Sequence, residues 1–138
     1  MKKSLLSILS LFIFSCAELP SKPIQKIEVS TQQDDYRKAV RPYFSLFRDC
    51  YSPIYEKNPQ VQGDMTFAWE VHQGGVAKNI TSVPSPTSLK NEVLEYCMLG
   101  VISRIKFPNP PPNTILLVKD YFFRFAGKDN KTFIEATF

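Results

Sequence analysis

The chain has 138 residues, of which 43% are hydrophobic and 22% charged, with three cysteines and a single histidine. That length suits about one domain with its own core. The formal charge of +4 is modest, and no basic stripe with interleaved aromatics accompanies it, so the composition does not read as a nucleic-acid binder.

The N-terminus opens MKKSLLSILSLFIFSC. Lys2 and Lys3 form a positive n-region, and Leu5 to Phe14 an apolar stretch of signal-peptide length. A bilayer span needs roughly 20 apolar residues, so this stretch is too short for an anchor helix. Ile13-Phe14-Ser15-Cys16 resembles a bacterial lipobox. That resemblance implies cleavage before Cys16, lipid on Cys16, and residues 1–15 as signal peptide. Ala17 after the cysteine favours the outer membrane, facing the periplasm. Two of the positive charges leave with the signal peptide, which weakens further any reading from basicity.

Residues 16–33 read as the lipidated cysteine and a flexible tether, with a short strand at Ile27 to Ser30. An N-terminal helix is expected over 34–57. Asp34 and Asp35 suit its dipole, and Val40, Phe44, Phe47, Tyr51 and Ile54 recur at helical steps. Pro42 fits a first turn if the helix starts near Arg41; Pro53 should end or kink it. Residues 61–72 alternate as a half-buried strand, with Val61, Met65, Phe67, Trp69 and Val71 on one side. Gln73-Gly74-Gly75 makes a tight turn, and Val76 to Val83 returns as a second strand. Thr87 or Ser88 is expected to cap a second helix running to about Ile105. Its apolar positions are Leu89, Val93, Cys97, Val101 and Ile105, with Leu94 and Met98 beside them. Residues 107–112, FPNPPP, form a stiff connector. Residues 115–125 form a strong strand, and 127–138 a tail or short edge strand.

With Cys16 lipidated, Cys50 and Cys97 remain. An even pair in an exported chain suggests a disulfide. Two buried free thiols are the alternative. A zinc site would need more ligands than the lone His72 can add, and a nucleophilic cysteine would need a positioned base. No paired acid–base constellation or phosphate loop stands out, and the scattered carboxylates read as solvated. The expectation is a protein without enzymatic activity, metal or cofactor.

The order of helix, strand, glycine turn, strand, helix, Phe-Pro and strand resembles the C-terminal domain of the AgmX/PglI family, a relative of the TonB C-terminal domain. The residues carrying the likeness are Cys50-Tyr51, Asn58-Pro59, Gly63, Gly75-Val76, Cys97, Phe107-Pro108 and the run Tyr121 to Phe125. Ile105 stands where the family often has Trp, and Phe122 where it often has Pro. The resemblance implies an α+β, TonB-like domain over residues 34–126. Two helices would pack on one face of a three- to four-stranded, mainly antiparallel sheet in the order α-β-β-α-β. It further implies binding of an envelope protein by strand pairing, in a motility, secretion or transport assembly. Residues 115–125 are the first candidate for the free edge. Lys119, Asp120, Tyr121, Phe122 and Phe123 are its binding residues, because charges such as Lys119 and Asp120 often guard an edge. The alternatives are a central strand with core aromatics, and a structural envelope protein that binds peptidoglycan or self-associates.

Overall fold

The computed structural model describes residues 22–28, 34–126 and 134–137. The residues expected as signal peptide, Cys16 and most of the expected tether lie outside them. The chain is α+β. Its strands are β1 (Gln25–Glu28), β2 (Gly63–His72), β3 (Val76–Ser82), β4 (Thr114–Phe125) and β5 (Ile134–Thr137). Its helices are α1 (Asp34–Val40), α2 (Phe44–Lys57) and α3 (Glu92–Ile102). The mixed sheet runs β1-β4-β2-β3, and β5 also pairs with β4. β2 is antiparallel to β3 and β4, and β1 runs parallel to β4.

The expected helix over 34–57 is divided. A 3-10 turn at Arg41–Tyr43 separates α1 from α2 and contains Pro42. Proline lacks the N–H an α-helix would use and its ring crowds the carbonyl four residues back, so the tighter turn is the cheaper path. Pro53, by contrast, lies inside α2, which continues to Lys57. The second helix starts later than expected. Asn91 caps it, its side chain accepting from the Leu94 N–H at 2.9 Å. Thr87 and Ser88 serve the sheet instead, their hydroxyls accepting from the backbone N–H groups of Thr66 and Asp64 at 3.1 and 2.8 Å. The same segment continues the pairing of β2 after β3 has ended, because Val83 and Ser88 donate backbone bonds to Thr66 and Asp64.

α2 and α3 cover one face of the sheet. Phe47 meets Phe123 at 4.6 Å between ring centroids, and Tyr51 meets Phe125 at 4.8 Å. From α3, Leu94, Met98, Val101 and Ile102 enter the same core. The buried line on α3 is therefore rotated from the expected one: Val93 and Cys97 are exposed, and Tyr96 is 82% exposed.

One glycine is demanded by the close approach of two chain segments. Gly75 has φ +69°, and a Cβ there would sit 2.0 Å from the Phe107 carbonyl oxygen. No side chain fits without moving backbone. The Phe107 N–H donates to the Gly75 carbonyl at 3.0 Å, which ties the β2–β3 turn to the connector after α3.

Candidate functional site

Cys50 and Cys97 form a disulfide with Cα atoms 5.7 Å apart, and it joins α2 to α3. The bridge spans 47 residues of sequence. In the chain-entropy account a closed loop of that length is worth about 4 kcal/mol. Cys50 is buried and Cys97 exposed, so the bridge lies at the rim of the helix layer.

The expected free edge at 115–125 is corrected by the sheet order. β4 is interior. On one side it pairs with β2 along its length. On the other, β1 pairs with Thr114 to Leu117 and β5 with Phe122 to Phe125. Lys119 and Asp120 are not edge guards but a bulge. Two residues of β4 face Ala68 alone, between the pairs Phe67↔Tyr121 and Trp69↔Val118. Asp120 takes φ +54°, a left-handed conformation that Asp adopts more readily than most residues. The extra residue shifts the alternation, so Val118 and Tyr121 both face the helices although they are three apart. Tyr121 and Phe123 are core residues; Phe122 is half-buried on the opposite face. A parity change between Leu116/Val118 and Tyr121/Phe123/Phe125 is visible in the sequence, and it was the signal for the bulge.

β3 carries a matching irregularity. Asn79 and Ile80 together oppose Trp69, and Asn79 has φ +50°. β3 pairs with β2 on one side. Beyond a single bridge from Val76 to Lys106, its outer edge meets no strand among the described residues. β1 and β5 also have outer edges, but each spans four residues against seven in β3.

No helix among the described residues covers the second face of the sheet. Its centre is a polar network around Glu70, whose side chain is 14% exposed. Lys26 lies 2.7 Å from one carboxylate oxygen; His72 Nε2 and Asn79 Nδ2 lie 2.9 and 2.8 Å from the other. Hydrogen bonds from Lys26 and then His72 hold the Glu70 pKa down at about 2. His72 therefore lies on the polar side of β2, as its sequence position suggests. Nearer the end of β4, Arg124 reaches both Asp64 oxygens at 2.9 and 3.4 Å. Its guanidinium stands 5.7 Å from the Phe122 ring centroid. Asp64, Thr66, Pro86, Asp120, Phe122 and Arg124 line a shallow depression of about 450 Å³ there.

Tyr121 is buried, and that burial raises its pKa, against smaller opposing effects of Arg37 and Arg41. Trp69 Nε1 is buried with no hydrogen-bond partner among the described residues. Among the described residues no three His, Cys, Asp or Glu side chains gather as metal ligands, and no helix is long and apolar enough to cross a membrane. No protein-family model, curated protein or solved structure matches the chain.

Proposed function

We propose that this is a lipid-anchored bacterial envelope protein without catalytic activity. Its domain binds another envelope protein, in a motility, secretion or transport assembly, by accepting a strand at the outer edge of β3. The observation that carries this reading is the open edge of β3 on a sheet in which β2 is paired on both sides and β4 is paired with β2 on one side and with β1 and β5, at Thr114–Leu117 and Phe122–Phe125, on the other. An unpaired edge offers main-chain donors and acceptors that an added strand can satisfy. The Asn79 bulge and Lys78 blunt this edge against indiscriminate pairing, leaving Ile80 to Ser82 as the receptive stretch. The N-terminal lipobox resemblance and the AgmX/PglI-like order of elements support the envelope setting.

The test is capture of the tagged full-length protein from cross-linked cells, with bound proteins identified by mass spectrometry. A reproducible envelope partner is expected. It should be lost with Ser82→Pro, which removes an outward-facing backbone donor from the edge, while thermal melting shows the variant still folded. Val83, and by alternation Thr81, turn their N–H groups to β2 instead. Recovery of only cell-wall fragments or further copies of the chain would replace this reading with a structural one.

A further inference from the structure

The two ends of the sheet differ in chemistry. At one end lie the β2–β3 turn, the start of β1, the connector 107–113 and the loop after α3. These pieces are tied together. Gln73 Nε2 donates to the Pro111 carbonyl at 2.7 Å, and the Gly74 N–H donates to Asn109 Oδ1 at 2.7 Å. The Gln25 N–H donates to the Asn113 carbonyl at 2.9 Å. Tyr43 Oη donates to the Arg104 carbonyl at 3.2 Å, which brings the start of α2 to the same end.

This end is basic. Lys22, Lys78, Arg104 and Lys106 are exposed there. No Asp or Glu occurs between positions 71 and 91 or between 101 and 119. At the margin, Asp35 of α1 faces Lys38 at 3.4 Å, and Glu70, opposite Lys78 in the β2–β3 register, is bonded by Lys26 and His72. Two apolar side chains stand among the cations, Ile24 at 66% and Val76 at 42% exposure. Ile24 and Lys78 share the rim of one depression with His72, Gln73 and Asn113. The opposite end mixes both signs: Asp64, Asp120 and Glu92 are there with Arg124, Lys57 and Lys90, and Arg124 is paired with Asp64.

We infer that the basic end docks on an anionic bilayer surface, so that the domain lies on the membrane rather than swinging free of it. Lysines near a surface of anionic headgroups are attracted within about a Debye length. Exposed aliphatic side chains beside them add contact with the interface. The chain enters the fold at this end, since β1 starts there. Under the lipid-anchor reading, on which the orientation rests, Cys16 precedes Gln25 by nine residues. Those residues span about 30 Å at most, so the anchor keeps this end within reach of the headgroups and the charges decide whether it rests on them. The β3 edge then runs away from the bilayer.

The test uses the full-length protein in vesicles of phosphatidylglycerol and phosphatidylethanolamine that contain a headgroup-labelled quencher lipid. A fluorophore is placed at Asn113→Cys or, at the far end, at Ser85→Cys. Several-fold stronger quenching at 113 than at 85 is expected. Charge reversal by Lys78→Glu with Lys106→Glu should erase most of that difference, as should vesicles of phosphatidylcholine alone. Equal quenching at both positions, or a difference that survives charge reversal, overturns the docking. The mass of the peptide containing Cys16 separately reports the lipid. If Cys16 is unmodified, the anchor reading fails on its own. Docking is then decided by sedimentation of the unlipidated chain with the same vesicles. Retention on anionic vesicles, weakened about tenfold or more by the double reversal, supports it; no retention overturns it.

Discussion

The two faces of the sheet are built from alternate residues of the same strands, yet they obey different rules. On the helix side Phe47, Phe67 and Tyr121 pack on Phe123, and Tyr51 on Phe125, with ring centroids 4.6–5.8 Å apart. On the open side Glu70, Lys26, His72 and Asn79, and then Asp64 and Arg124, form hydrogen-bonded sets at the edge of solvent. The first face holds the fold by excluded water and close packing. The second holds partners in place by directional bonds that water weakens. Stability should therefore be concentrated on one side of β2 and β4, leaving the other side free to vary.

The sharpest way to break this contrast is Phe123→Ala. Phe123 is fully buried and touches Phe47, Phe67 and Tyr121. A loss of about 3–5 kcal/mol is expected in denaturant unfolding. Opening the Cys50–Cys97 bridge should follow, with a loss of about 2–4 kcal/mol between oxidised and reduced protein. Non-reducing peptide mapping of protein taken from cells should show the Cys50–Cys97 cross-link, and free alkylation of both thiols would contradict it.

The open face should respond to pH instead. The Glu70 pKa is depressed from 4.5 to about 2 in the folded chain. A depressed carboxylate stabilises the fold above its unfolded pKa, and that contribution is lost as pH falls through the folded value. Melting temperature should fall between about pH 4.5 and 2, partly through this group. Glu70→Gln should flatten that stretch of the profile and cost on the order of 1 kcal/mol at neutral pH, since Lys26 is half exposed. A profile that does not change in the variant would remove Glu70 from the account. The smallest effect is expected from Arg124→Ala, about 0.5 kcal/mol, because its side chain is about half exposed and its ion pair with Asp64 is open to solvent. A loss above 2 kcal/mol there would mean that the open face also carries the fold.

Much of the architecture was legible from residue order. The alternation of Met65, Phe67, Trp69 and Val71 marked β2 and its buried side. The glycine turn placed the β2–β3 hairpin, and the even count of cysteines after Cys16 suggested the bridge. Period and chain geometry decide these locally, because a strand can bury only one parity of its residues against a helix layer. Helix boundaries were less legible. Whether Thr87 and Ser88 cap a helix or stitch β2 depends on which backbone donors are brought near, and that is a tertiary fact.

The sequence by itself determined the α+β class, the run of elements from α2 to β4 and the cysteines available to pair. Tertiary structure alone decided that β4 is interior, that Lys119 and Asp120 form a bulge, that β3 keeps the long open edge, and that the basic residues gather where the chain enters the fold. The physical reason is one of range. Side-chain periodicity is set by bonds between near neighbours, whereas strand order and the meeting of distant charges depend on contacts between segments far apart in sequence.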